Sequence, residues 1–145
     1  MPSKRLKIIK RIDWKKLNIH DDINEISLMI VKDIRDGIMR SMDINDKGFA
    51  PLSPITIKLK GNDRMLYDTG LMQELPPPTK ATKANLISTI NVAKARGSIG
   101  MYHNEGGNKG TNPPQREWYG IGKRGLAKIR KFTAYALAEK LKRNK

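Results

Sequence analysis

The stretch that decides the fold is residues 21–42, DDINEISLMIVKDIRDGIMRSM, in which isoleucines recur every three or four positions. This spacing is typical of one apolar face of a helix. The residues on that face are Ile23, Ile26, Ile30, Ile34 and Ile38. Asp21 and Asp22 favour a helix start, because carboxylates accept hydrogen bonds from free backbone N–H groups and face the positive end of the helix dipole. Gly37 weakens the helix by about 1 kcal/mol relative to alanine. We therefore predict a helix over 21–42, about 30 Å long.

A second helical stripe lies towards the C-terminus. Its members are Leu126, Ile129, Thr133, Ala136, Leu137 and Leu141. Lys140, Lys142 and Arg143 follow where cations suit the negative end of a helix dipole. The pattern predicts a C-terminal helix.

Strands are predicted in two regions. Residues 86–92 place Leu86, Ser88, Ile90 and Val92 on one face, Arg96-Gly97 can turn the chain, and 98–103 can return antiparallel. Residues 5–14 partly alternate apolar residues with lysines and arginine, which suits an edge strand, with a short helical turn as the alternative.

The region between the first helix and these strands is rich in residues that break regular structure. Pro51, Pro54, Gly61 and the run Pro76-Pro77-Pro78 interrupt it. We expect an extended arm over 43–85 and a mobile loop over 104–117, both ordered by a partner. A length of 145 residues indicates a single domain over 1–145.

Charge is unevenly distributed along the chain, whose net charge is +15. Residues 1–16 carry seven bases and one acid, residues 21–46 carry three bases and seven acids, and residues 111–145 carry ten bases and two acids. Three interpretations of the basic ends remain open. They bind a phosphate backbone, they bind acidic helices of other copies in a ring, or they are simply solvated helix faces.

No apolar run approaches the ~18 residues of a membrane span. The absence of cysteine excludes disulfides, thiolate nucleophiles and cysteine-based zinc sites.

Four short phrases occur in order along the middle of the chain. They are Gly48-Phe49-Ala50-Pro51-Leu52-Ser53, Tyr67-Asp68-Thr69-Gly70-Leu71, Tyr102-His103-Asn104-Glu105-Gly106 and Pro114-Gln115-Arg116-Glu117-Trp118-Tyr119-Gly120. Their order and spacing resemble the tailed-phage virion morphogenesis family, the small tail-completion proteins of Mu-like and P2-like phages. That family shows an aromatic-x-Pro-Leu-Ser segment, a Leu-x-Asp-Thr-Gly-x-Leu segment, a Tyr-x-x-His-x-x-Gly-like strand end and a Pro-x-Arg-x-aromatic-x-Gly turn. Phe49 stands where tryptophan is frequent in the family.

The resemblance implies an α+β fold in which an antiparallel sheet packs against a long N-terminal helix and a C-terminal helix, with long extended loops. It implies a structural protein, not an enzyme, that completes the tail or joins tail to head, without cofactors or a membrane. The expected partners are other copies in a ring such as a hexamer, the tail tube and head–tail connector proteins, and DNA where it passes through the ring. The expected location is the virion tail or neck, after assembly in the host cytoplasm.

The motif residues are our candidates for assembly contacts. They are Phe49, Pro51, Leu52, Asp68, Thr69, Gly70, His103, Gly106, Arg116, Trp118 and Tyr119. Arginine and aromatic residues are enriched at interface anchors, although Trp118 serves equally well as a cap on the core. His103 is interpreted as a structural hydrogen-bonding group at a strand end.

Two catalytic interpretations of these motifs are weak. Asp68-Thr69-Gly70 is also the aspartic protease signature, in which two carboxylates share one proton, but a chain this short would need a dimer to supply the pair. The loop around Lys109 lacks the order of glycines, lysine and hydroxyl residue that a phosphate-binding loop requires. The alternative from a different class is a basic nucleic-acid-binding module.

Overall fold

A computed structural model describes residues 14–66, 75–91, 97–106 and 114–143 of the chain. Within these ranges a short 3-10 helix, Trp14–Leu17, precedes four α-helices: α1 (Ile19–Met39), α2 (Pro54–Lys60), α3 (Gly97–Glu105) and α4 (Lys123–Arg143). None of these helices combines the length and apolar character that crossing a bilayer requires. The edge strand predicted over 5–14 lies outside the described residues except at Trp14.

Helix α1 confirms the prediction from the isoleucine spacing. It begins after Asn18, which adopts a left-handed conformation, and carries Asp21 and Asp22 in its first turn. Its buried apolar residues include Val31, Ile34 and Ile38. The apolar face of α1 therefore packs against the core, as the 3.6-residue period of a helix requires.

Helix α4 confirms the second helical prediction and lies antiparallel to α1. Asp33, in the second half of α1, contacts Arg124 and Lys128 at the start of α4. Asp22, in the first turn of α1, contacts Lys140 near the end of α4 at 2.7 Å. Acidic groups of α1 therefore bind cations of the same chain.

Helix α2 was not predicted, although its signals are present in the sequence. Ser53 accepts a hydrogen bond from the Thr56 N–H, Pro54 occupies the first turn, and Gly61 ends the helix with a φ of 73°. These are the residues that helix starts and stops prefer. No residue of α2 is buried.

The expected antiparallel sheet is wrong. The described residues are mostly helical and contain no sheet, and the Met42–Gly48 pairing is an isolated antiparallel bridge. Residues 98–103, predicted as a strand, lie within α3. Residues 86–91 have no regular secondary structure.

The reason lies in the hydrogen bonds available to residues 76–91. Prolines 76–78 have no N–H to donate to a ladder. The Thr79 N–H does reach the Thr89 carbonyl at 2.9 Å, but the Thr89 N–H bonds to the Thr79 hydroxyl at 2.8 Å. Side chains thus replace the second backbone bond that would continue a ladder.

This segment lies instead along α1. Asn24 makes two hydrogen bonds to the backbone of Ala81, at 2.7 and 3.0 Å. Ser27 donates to Ser88 at 2.6 Å. Ser88 and Ile90 are half-buried while Leu86 is exposed, so the segment packs one side against the helical core without forming a strand.

The core forms where α1 meets the segments that follow it. Ile34 and Trp118 are each 1% exposed and lie at its centre. The other buried members are Val31, Ile38, Phe49, Leu66 and Leu75. The core therefore collects residues from most of the chain around one face of α1.

Candidate functional site

Arg116 links three of the four motif phrases. Its side chain is buried, and its Nε and Nη2 donate to the carbonyls of Ala50 and Pro51 at 3.0 and 3.3 Å. Its backbone N–H donates to the carbonyl of His103 at 2.8 Å. The Pro51 and His103 phrases are thus joined through one residue.

Trp118 and Tyr119 extend this junction. The Trp118 indole N–H donates to the Gly100 carbonyl at 2.8 Å inside the core. The Tyr119 hydroxyl donates to the Ile90 carbonyl at 2.6 Å, and its N–H donates to Asn104 Oδ1 at 3.0 Å. The sequence left two roles open for Trp118, an interface anchor or a cap on the core. Its side chain is 1% exposed, which places it in the core.

His103 lies at the end of α3, not at the end of a strand. Its ring nitrogen Nδ1 is buried without a hydrogen-bond partner among the described residues. Burial lowers the pKa of His103, and the positive charges of Arg116 and Lys60 lower it further. The sequence predicted a structural hydrogen-bonding role for His103; its Nδ1 makes no such bond among the described residues, whereas its backbone carbonyl accepts from the Arg116 N–H. Gly106 follows α3 with a φ of 82°, a conformation that favours glycine.

The remaining candidates divide between core and surface. Phe49 is buried in the core, Pro51 is exposed and Leu52 is half-buried. Asp68, Thr69 and Gly70 lie outside the described residues, as do residues 107–113 of the predicted mobile loop. The described part of the chain holds no group of three or more His, Asp or Glu residues suited to a metal ion.

A cleft of about 430 Å³ opens beside this junction. One wall comes from residues 43–50 and the other from residues 115–117, and the two walls are joined where the Ile44 N–H donates to the Glu117 carbonyl. Lys47 and Arg116 contribute cations to the lining, and Asp43 and Glu117 contribute carboxylates. The cleft is therefore lined by charged side chains of both signs.

A second cluster of charges joins α1 to α4. Arg124 donates from Nε to Asp33 Oδ1 at 2.9 Å and from Nη1 to Asp46 Oδ1 at 2.7 Å. Burial lowers the pKa of Arg124, but its hydrogen bonds to both carboxylates outweigh burial and raise the pKa. Burial likewise raises the pKa of Asp33, but hydrogen bonds from Arg124 and Lys128 hold it below its ordinary value. This cluster is a neutralised structural link.

Sequence reasoning missed this cluster, although a signal was present. Asp33 follows Ile30 by three positions and precedes Gly37 by four, so it lies on the side of α1 that is otherwise apolar. An acid in that position indicates a buried cation nearby. Gly37 completes the arrangement, because a Cβ there would lie 2.6 Å from Arg124 Nη2.

The surface carries exposed apolar side chains away from the cleft. In α2, Ile55 is 72% and Leu59 is 83% exposed. In the segment along α1, Leu86 is 45% and Ile87 is 65% exposed. These side chains are candidates for contacts with other proteins.

Comparison with protein-family profiles, with curated protein sequences and with solved structures finds no match to this chain.

Proposed function

We propose that the chain is a structural assembly protein of the tail-completion type in tailed phages, acting in a ring of copies where the tail ends or meets the head. The motif order is the starting point for this proposal. The fold that the resemblance implied is not part of it, because the described residues contain no sheet.

The observation that carries the proposal is the convergence of the motif phrases. The Pro51, His103 and Arg116 segments lie far apart in sequence, yet hydrogen bonds from Arg116 join all three. A set of phrases that folds into one junction forms a physical unit, and this supports treating the resemblance as more than chance spacing.

Helix α2 supplies the strongest argument for assembly. Helices shorter than ~12 residues are marginal in water unless they pack against something. Helix α2 has seven residues, none of them buried. Ile55 and Leu59, four positions apart, share one exposed face. A neighbouring copy that covers this face would stabilise the helix and bury both side chains.

The experiment compares the mass of the purified chain with that of an Ile55→Ser, Leu59→Ser double variant by light scattering at low and high salt. We expect a ring mass for the parent chain and a monomer mass for the variant. Electron microscopy of the parent chain mixed with phage tail tubes should show a ring at the tube end.

The matched control is Leu28→Ser, which removes a leucine that is 54% exposed on α1. This variant should keep the ring mass. A parent chain that stays monomeric at every concentration and never binds tube ends contradicts the proposal.

Helix α4 favours a second candidate function, binding to nucleic acid. Lys123, Arg130 and Lys131 are exposed on one side of the helix and have no carboxylate partner among the described residues. Cations spaced along an exposed helix face can follow phosphates.

This candidate is tested by fluorescence anisotropy with duplex DNA across a salt series. Each phosphate contact contributes about −0.9 to the slope of log affinity against log salt, so an Arg130→Gln, Lys131→Gln variant should reduce the slope by about 2. Lys32→Gln, an exposed cation on α1, is the control. Absence of binding at low salt excludes the candidate.

A further inference from the structure

Within the described ranges, two arginine side chains are buried, and their electrostatic surroundings differ. Arg124 has a side chain that is 7% exposed and is neutralised by Asp33 and Asp46. Arg116 is 4% exposed and forms no ion pair with any carboxylate of the described residues. Buried charges in proteins are ordinarily paired. Among the residues that the structure describes, Arg116 therefore has no counterion comparable to those of Arg124.

The hydrogen bonds of Arg116 leave one nitrogen available. Nε and Nη2 are held by the carbonyls of Ala50 and Pro51. These carbonyls fix the plane of the guanidinium without neutralising it. No described residue accepts a hydrogen bond from Nη1.

Arg116 lines the 430 Å³ cleft together with Lys47. The two carboxylates of the lining accept hydrogen bonds from uncharged groups of neighbouring lining residues and keep their negative charge. Asp43 accepts from the backbone N–H groups of Asn45 and Lys47, both at 2.8 Å. Glu117 accepts from the amide of Gln115 at 3.2 Å and from that of Asn45 at 3.5 Å. Neither carboxylate serves Arg116 as a counterion.

The surroundings of Arg116 are also positive on the side of α3. Arg116 and Lys60 both act on the half-buried ring of His103, and burial together with these charges lowers the pKa of His103. The ring therefore favours its neutral form, and its buried Nδ1 has no partner. An anion placed at Arg116 would offset the positive charge of Arg116 beside this ring.

We propose that the cleft between residues 43–50 and 115–117 binds a carboxylate from an acidic polypeptide segment, with Arg116 as its counterion and Lys47 at its margin. The buried ring of Phe49, which also lines the cleft, can contact the methylene stem of a glutamate. This site is independent of the tail role and of the exposed face of α2.

A carboxylate fits better than a phosphate backbone. Asp43 and Glu117 in the lining repel a polyanion more strongly than a single negative charge. A buried arginine is also reached more easily by a slender side chain than by a duplex. Carboxylate binding to arginine is charge-assisted and geometrically specific.

The test is a titration of the ¹⁵N-labelled full chain, observed at the Arg116 Nε–Hε signal at constant ionic strength. The probes are acetyl-Gly-Gly-Glu-Gly-Gly-amide, the matched peptide with Gln in place of Glu, and a single-stranded oligothymidylate. We expect a saturable shift with the Glu peptide and none with the Gln peptide. Equal shifts with both peptides, or tighter binding of the oligothymidylate, overturn the proposal.

Variants test the same site in the folded protein. Lys47→Gln changes an exposed side chain and should weaken binding of the Glu peptide about two- to five-fold, as loss of a charge at the margin of a site does. Lys32→Gln on α1 should leave the affinity unchanged. Arg116→Lys keeps the charge but not the forked geometry, and should weaken binding more than Lys47→Gln.

An internal counterion is the remaining outcome to exclude. If Asp68→Asn moves the Arg116 Nε–Hε signal in the peptide-free chain and Glu-peptide binding appears only in that variant, the carboxylate comes from the chain itself. The proposal is then overturned.

Discussion

Asp33 on α1 and Arg124 on α4 form a buried ion pair in which Oδ1 and Nε lie 2.9 Å apart and both side chains are less than 10% exposed. The Asp33 carbonyl also accepts from Arg124 Nη2 at 3.1 Å. One arginine thus binds both the side chain and the backbone of α1. The pair fixes where α4 starts relative to α1.

Removing the charge of Asp33 should destabilise the chain. In Asp33→Asn, Arg124 and Lys128 lose their charged partner while Arg124 keeps its ion pair with the exposed Asp46, so the expected cost is about 1–3 kcal/mol. The measurement is the free energy of unfolding in urea, followed by circular dichroism. Glu25→Gln makes the same chemical change at an exposed position of α1 and should alter the free energy by less than about 0.5 kcal/mol. If Asp33→Asn and Glu25→Gln change the free energy of unfolding equally, the Asp33–Arg124 pair contributes nothing to stability.

His103 should make stability depend on pH below about 6.5, the ordinary pKa of histidine. Because burial, Arg116 and Lys60 lower the pKa of His103 in the folded chain, the unfolded chain binds a proton first as the pH falls. Stability is therefore full above that pH and declines as the pH falls towards the folded-state pKa. The measurement is the urea midpoint over a pH series.

Two variants assign this pH dependence. His103→Gln should flatten the slope of the urea midpoint between neutral and mildly acidic pH. His20→Gln changes the other histidine and should keep the slope that His103 contributes. If the urea midpoint of His103→Gln depends on pH as strongly as that of the parent chain, a group other than His103 binds the proton.

Trp118 should be among the most sensitive positions in the core. Trp118→Ala removes a side chain that is 1% exposed and leaves a cavity, which costs about 3–5 kcal/mol. Tyr135→Ala removes an aromatic ring that is 68% exposed and should change the free energy of unfolding by less than about 0.5 kcal/mol. Both are measured by urea unfolding with circular dichroism. A tolerant Trp118 would show that the junction around Arg116 is not part of the folded core.

Two glycines outside the core should respond in opposite directions to alanine. A Cβ at Gly122 would overlap the backbone carbonyl of Ile44, so Gly122→Ala should destabilise the chain by about 1–3 kcal/mol. A Cβ at Gly48 meets nothing within 4 Å, so Gly48→Ala should be neutral or stabilise by about 0.4–1 kcal/mol. Thermal unfolding of the two variants side by side measures this difference. The reverse order would mean that the 44–122 contact does not form.

The two long helices could be predicted because their periodicity is local. The spacing from Ile23 to Ile38 determines α1 wherever its partner lies. The shared face of Leu86, Ser88, Ile90 and Val92 predicted a strand; in the structure Ser88 and Ile90 are half-buried, Leu86 is exposed, and Val92 lies outside the described residues. The prediction was wrong because alternation reports which side is buried, whereas a sheet also needs a neighbouring backbone to pair with.

The candidate site was predictable in part. The motif phrases indicated Arg116, Trp118 and Tyr119, which the structure brings into one junction with His103. The cleft beside Arg116 could not be predicted, because its walls come from segments more than 60 positions apart. That no carboxylate of the described segments pairs with Arg116 is likewise a property of the folded chain.

The dependence of earlier segments on residues 116–119 has a consequence for how the protein is made. The carbonyls of Ala50, Ile90 and Gly100 accept hydrogen bonds from side chains of residues 116–119, which are synthesised later. The Asn18 carbonyl likewise accepts from Lys140. While the chain emerges from the ribosome, the core around Ile34 stays incomplete until Trp118 has been translated, although Phe49, Leu66 and Leu75 can already cover part of α1. A nascent chain halted before Trp118 therefore exposes part of its core and is a substrate for chaperones and proteases.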